Sequence, residues 1–296
     1  MATLRDLAVL SKGGIVFFVG LTTGLGFLVG LPPGMPLSWT YLLFSIAGTS
    51  LLGAGASALN QLQEVRLDAK MPRTRNRPIP AGRISRSSAL FIGTGFAALG
   101  LLCLGTINPS CFVLGLTAPL LYNFFYTLFW KPRRPFAAVP GALPGALPVL
   151  IGATAAGGEI TASGLYLFFL MFLWQMPHFW VLALRFQHDY AQGEVPTLPV
   201  RLGASITTQQ IVVWCLAYLS VAALAPLVLR VGGVYIVAFI ALGALVLHSL
   251  RNYVRTHAPR EWIRFFLTIN ASLLGFLLGA CLDHWSVYAL IPLLTR

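Results

Sequence analysis

Only eight of the 296 residues are acidic, and four of those stand in two groups. Glu64 and Asp68 form the first group, Asp189 and Glu194 the second. Asn60, Glu64 and Asp68 are spaced i, i+4 and i+8, so on a helix they stack along one face over two turns. Like charges four residues apart repel on a helix. Neither acid has a Lys or Arg three or four residues away, so a cation must come from elsewhere. Two carboxylates and an amide oxygen are hard oxygen ligands of the kind that suit Mg2+. Arg73, Arg75 and Arg77 follow directly, and guanidinium groups match phosphate oxygens. Carboxylates for Mg2+ beside guanidiniums for phosphate make a candidate diphosphate site. An amphipathic loop whose charges merely neutralise each other would have the same spacing.

The second group follows the run Trp174-Gln175-Met176-Pro177-His178. Proline inside an apolar run predicts a kinked helix with a freed carbonyl near His178. An ionisable residue within such a run is a functional candidate, although a neighbouring carbonyl can also satisfy a histidine there. Arg185, His188 and Asp189 are expected at the mouth of that helix, with Gly193, Pro196 and Pro199 making a rigid turn beyond it. The remaining acids, Asp6, Glu159, Glu261 and Asp283, read as solvated charges near termini or in loops.

The elements that carry these groups follow from composition. Hydrophobic types make up 57% of the chain and charged types 9%, against roughly a quarter charged in soluble domains. Nine continuous apolar runs are long enough to span a bilayer, at about 14–31, 38–59, 88–107, 110–129, 137–155, 163–184, 210–229, 233–250 and 265–282. Continuous rather than alternating runs select helices. The chain is therefore expected to be all-α, one domain over residues 1–296. The first run is read as a retained helix rather than a cleaved signal. The four cysteines lie in or beside apolar runs without metal spacing and read as packing residues.

Eighteen of the 20 basic residues fall on one side of this alternation; only Arg230 and Arg296 fall on the other. The positive-inside rule then places the N-terminus in the cytoplasm and the C-terminus outside. This asymmetry accounts for the net charge of +12. Charge spread over separate membrane-flanking loops suits anionic lipid and argues against nucleic acid. The two acidic groups are both cytoplasmic and sit four helices apart. That correspondence suggests two degenerate four-helix halves plus a ninth helix.

Asn60, Glu64 and Asp68, followed by Arg73-Thr74 and Arg77-Pro78, resemble the first signature of the UbiA superfamily of intramembrane prenyltransferases. The Trp174–His178 run, then Arg185-Phe186, Asp189-Tyr190 and Pro196-Thr197-Leu198-Pro199-Val200, resembles its protoheme-modifying farnesyltransferase branch. Tyr126 and Thr127, with Lys131, Arg133 and Arg134 after them, resemble the family's basic loop after helix four. The resemblance implies nine helices around a central cavity that opens to the cytoplasm, in a bacterial inner membrane. It makes Asn60, Glu64, Asp68 and Asp189 ligands of Mg2+. It makes Arg73, Arg77, Lys131, Arg133 and Arg134 contacts for farnesyl diphosphate, and Arg185 a contact for diphosphate or a heme propionate. His178 matches the family histidine. Tyr122, Tyr126, Trp174, Phe179, Trp180 and Tyr190 are the aromatic candidates around the substrates. Heme b would be the acceptor, and a heme A synthase or a terminal oxidase would receive the product. Two departures stand out: Glu64 replaces an aspartate common in relatives, and His188 stands beside Asp189 where another charge is usual.

Three other functions are compatible with parts of the sequence. A prenyltransferase acting on an aromatic or chlorin acceptor shares the first signature but not the Trp174–Val200 stretch. A transporter would suit nine helices, yet apart from His178 the spans are almost free of ionisable groups. Intramembrane proteolysis lacks both HExxH and paired aspartates within helices.

Overall fold

The computed structural model describes residues 3–294, with side chains as far as residue 286. Arg296, which the charge count places outside, lies beyond the described residues. Among the described residues every regular element is a helix, and nine are long and apolar enough to cross a bilayer. These are α2 (Gly13–Gly30), α3 (Trp39–Gln63), α5 (Arg86–Gly105), α6 (Pro109–Trp130), α7 (Ala138–Gly157), α8 (Ala162–Arg185), α10 (Leu198–Ala223), α12 (Gly233–Thr256) and α13 (Pro259–Leu294). Four short helices accompany them: α1 (Leu4–Leu10), α4 (Val65–Lys70), α9 (Gln187–Gln192) and α11 (Ala225–Val228). The chain is an integral membrane protein.

Side-chain caps set several starts. Ser38, Ser85, Asn108 and Thr161 each accept a backbone N–H from three residues on, supplying one partner that a helix N-terminus lacks. The first six expected runs match helices to within four residues. The eighth runs six residues further, to Thr256, and the ninth, expected over 265–282, begins at Pro259 and continues to Leu294. The seventh is shifted as well. It was expected over 210–229 and instead runs from Leu198 to Ala223. Its polar start, Gly203 to Gln210, hides the helix from an apolar count. Gly203, at φ 82°, breaks the backbone within it. The expected two-turn stack is also interrupted: α3 stops at Gln63, Glu64 takes φ −95° and ψ 10°, and α4 resumes. The i to i−4 ladder survives the break, with Glu64 N–H on Asn60 O at 2.9 Å and Asp68 N–H on Glu64 O at 2.8 Å. α8 and α9 repeat this form around Phe186, and α8 remains helical through Pro177. From Leu120 to Trp130, just after Pro119, α6 is wound as a π-helix. Such wide turns often mark functional sites.

α7 lies at the centre, against α2, α3, α6 and α8. Its seam with α2 is the tightest. A Cβ on Gly152 would stand 2.0 Å from the Thr23 carbonyl oxygen, and one on Gly26 2.2 Å from that of Val149. Only glycine lets the two backbones touch there.

Two acids read as solvated are buried and tied. Asp6 on α1 accepts from Arg83 at 2.8 Å and from the Thr3 amide at 3.1 Å. Those two bonds hold its carboxyl down to about 2. Asp283 on α13 accepts the backbone N–H groups of Gly232, Val234 and Tyr235 at 2.7, 3.2 and 2.8 Å. It thereby caps α12, whose own N-cap residue offers no side chain.

Candidate active site

The basic end of the bundle holds a cavity of about 520 Å³. The end of α3, α4, the wide half of α6, the start of α7 and the end of α8 converge on it. Asn60, Glu64 and Asp68 all reach its wall, and all three are buried. Each meets a cation, which resolves the like-charge repulsion that spacing alone creates. Lys131 Nζ lies 2.5 Å from Glu64 Oε1. Arg77 Nη1 donates to both Asp68 oxygens at 2.8 Å. Lys12 Nζ donates to Asn60 Oδ1 at 2.8 Å and to the Tyr122 hydroxyl at 3.0 Å. Burial works against the charge on Lys131, but the Glu64 carboxylate and nearby tyrosines outweigh it and raise its pKa. It stays an ammonium throughout the neutral range.

The wide half of α6 locks onto α3. Asn60 Nδ2 donates to Thr127 Oγ1 at 3.1 Å, and Asn123 Nδ2 donates to Ala56 O at 2.9 Å. The same winding puts Tyr122 and Tyr126 side by side on the wall, ring centroids 5.8 Å apart.

The second motif contributes less directly. Tyr190 and Phe186 line the cavity with Arg73, whose guanidinium lies 4.9 Å from the Phe186 ring and 5.8 Å from the Tyr190 ring. Asp189 is off the wall, 3.7 Å from Arg73 Nε. Glu194 pairs with Lys70 at 2.9 Å, both well exposed. His178 is on the wall, its ring 4.8 Å from Trp174 and 5.1 Å from Phe266, and its Nδ1 is buried without a hydrogen-bond partner.

Several expected contacts stand elsewhere. Arg134 lines the cavity, whereas Arg133 points back to the Leu128 and Phe129 carbonyls and closes the end of α6. Arg185 lies over the Trp262 ring at 5.8 Å. Trp174 sits behind the wall, its indole N–H on Ile269 O at 2.9 Å. Trp180 is fully buried against Phe136 and Trp214. Phe179 is on the wall.

Two wall residues were missed. Lys12, in sequence only one of the basic residues flanking the first span, reaches Asn60 and Tyr122 on the wall. Gln175, an amide in an apolar span, was a visible signal; it donates to Ala142 O and Met171 O at 3.1 and 3.2 Å. With Ile15, Tyr122 and Gly141, these two also line a second cavity of about 230 Å³, which runs on between α2, α3, α6 and α7.

No three His, Cys, Asp or Glu groups form a closed metal cage among the described residues. Mg2+ does not demand one: it binds through one or two carboxylates, waters and substrate phosphates. The donor set of Asn60, Glu64 and Asp68 fits that habit. Lys12, Arg73, Arg77, Lys131 and Arg134 outnumber the two wall carboxylates, leaving the mouth positive and suited to a polyanion.

The pattern describing the UbiA prenyltransferase family matches residues 16–290. The protoheme IX farnesyltransferase of Bdellovibrio bacteriovorus is 41% identical over 284 residues, covering 96% of this chain and 97% of that protein. A solved digeranylgeranylglyceryl phosphate synthase superposes with a TM-score of 0.75 at 17% identity, over 94% of this chain and 98% of its own. A UbiA homologue from Archaeoglobus fulgidus, solved with GPP and Mg2+, superposes with a TM-score of 0.64 at 17% identity, over 93% of this chain and 99% of its own. With nine spans, a basic cavity mouth and a matching pattern over nearly its whole length, this chain belongs to the UbiA prenyltransferase family.

Proposed function

We propose that this chain transfers a farnesyl group from farnesyl diphosphate to a vinyl group of heme b, with addition of water, giving heme O and diphosphate. One observation carries the reading: carboxylates and cations ring the mouth of a cavity with an apolar interior, in a chain 41% identical to a protoheme IX farnesyltransferase.

The diphosphate lies at the mouth and the farnesyl tail between helices. Arg73, Arg77, Lys131 and Arg134 stand around the leaving group, where fixed positive charge offsets the negative charge that builds as the carbon–oxygen bond breaks. That bond's electron pair leaves with the diphosphate. Tyr122, Tyr126 and Phe179 line the space where the allylic cation forms, and aromatic faces favour a cation. The vinyl group supplies the pair for the new carbon–carbon bond. Water then closes the cation left on the porphyrin-side carbon and loses a proton to solvent. His178 stands on the cavity wall, beside the space for the heme and that water. Asn60, Glu64 and Asp68 would hold Mg2+, which would neutralise phosphate charge and polarise the leaving group, with Asp189 acting through Arg73. The GPP and Mg2+ bound by the Archaeoglobus homologue support this choice.

The same reading puts the mouth and N-terminus on the cytoplasmic face of a bacterial inner membrane. It treats α3–α4 and α8–α9 as equivalents in two four-helix halves, with α13 as the ninth span. Each pair is a long helix, one non-helical residue and a six-residue helix. The test is to incubate purified protein with heme b, farnesyl diphosphate and Mg2+ and weigh the extracted heme. A gain of one farnesyl group plus water is expected. Unchanged heme, with the protein folded, would sink the proposal.

A further inference from the structure

With the donor's tail lying in the second cavity, we propose that Thr49, Leu52 and Ile151 at its closed end set the length of prenyl chain accepted. This rests on the prenyl-transfer reading above.

The two cavities meet at Lys12, Tyr122 and Gln175. A chain bound by its diphosphate at the mouth has a path past this neck, and Lys12 is the last charged group along it. Below the neck Val19, Leu52, Ala56, Ala118 and Pro144 make an apolar wall. The one hydroxyl at the far end asks for nothing from a ligand. Thr49 Oγ1 is 2.8 Å from Thr23 Oγ1 and donates to Ser45 O at 2.8 Å.

The end is closed by the backbone itself. At the level of Val19 and Gly145, α2 and α7 both face the cavity. One or two turns deeper their backbones touch at Thr23–Gly152 and Gly26–Val149. Thr23 therefore marks one depth on three helices, through its contact with Gly152 on α7 and its hydroxyl bond to Thr49 on α3. Beyond lies packed core around Phe27, Leu104, Cys111 and Leu150. From Asn60 to Thr49 is eleven residues of α3, or about 16 Å at 1.5 Å per residue, the reach of about three extended isoprene units. The acceptor side of the first cavity, with His178 and Phe179, remains free while the tail occupies the second.

Two substitutions move the end in opposite directions. Ile151→Ala removes part of the floor. Gly53→Leu plugs the cavity about halfway down, and a Cβ there meets nothing closer than 3.8 Å. Purified variants are given equimolar geranyl, farnesyl and geranylgeranyl diphosphate with heme b, and the products are separated by mass. Ile151→Ala should raise geranylgeranyl over farnesyl transfer by about tenfold or more, and Gly53→Leu should favour geranyl by a similar factor. Product ratios unchanged in both, beside an active unsubstituted enzyme, would overturn the inference; no prenylated heme from the unsubstituted enzyme would overturn the transfer reading instead. If Gly53→Leu does not purify, the ratio from Ile151→Ala decides alone.

Discussion

The two acidic motifs share a backbone design and differ in what surrounds their charges. In the first, Glu64 and Asp68 are 7% and 0% exposed, and each holds a cation at hydrogen-bond distance on the cavity wall. In the second, Asp189 stands behind Arg73 at 3.7 Å, and the Glu194 side chain is 78% exposed. Both cations that meet the second motif, Lys70 and Arg73, come from the segment just after the first. The first motif thus presents its charges to the cavity, while the second pairs with the segment that follows the first. Equivalent placement along two helices does not give equivalent work.

That asymmetry predicts a graded series. Asp68→Asn should lower kcat/KM for farnesyl diphosphate by about a thousandfold, the scale of losing a key electrostatic partner of a developing charge. Asparagine still accepts a hydrogen bond from Arg77, so the variant should insert and purify normally. Asp189→Asn should cost about tenfold in the same assay, because it acts on the cavity through Arg73 and at longer range. Equal losses at the two positions would break the comparison and make Asp189 a direct ligand of equal weight. Lys70→Ala should change kcat/KM by less than about fivefold, since exposed ion pairs contribute under about 1 kcal/mol. A larger loss would show that the Lys70–Glu194 contact controls the mouth.

Much of this was legible in the sequence. A bilayer leaves so little freedom of composition that the spans stand out, and the basic loops sort themselves to one face. Helical spacing brought Asn60, Glu64 and Asp68 together, because four residues is nearly one turn. What escaped depends on contacts far apart in the chain. Lys12 reaches Asn60 across 48 residues, and no local spacing announces that. Arg133 and Arg134 are neighbours, yet one closes a helix end and the other faces the cavity. Trp174 faces α13 rather than the cavity because its N–H finds Ile269 O. The π-wound stretch rests on tertiary bonds from Asn123 and Thr127 to α3, which an apolar, aromatic segment does not advertise.

The cap on α12 has a consequence for how the chain is made. Its first backbone donors emerge from the ribosome with no acceptor of their own, and the Asp283 carboxylate follows 51 residues after Gly232. Buried donors left unmet cost about 1–3 kcal/mol each. The last two spans therefore pack as a hairpin whose far end is satisfied only once Asp283 is in place.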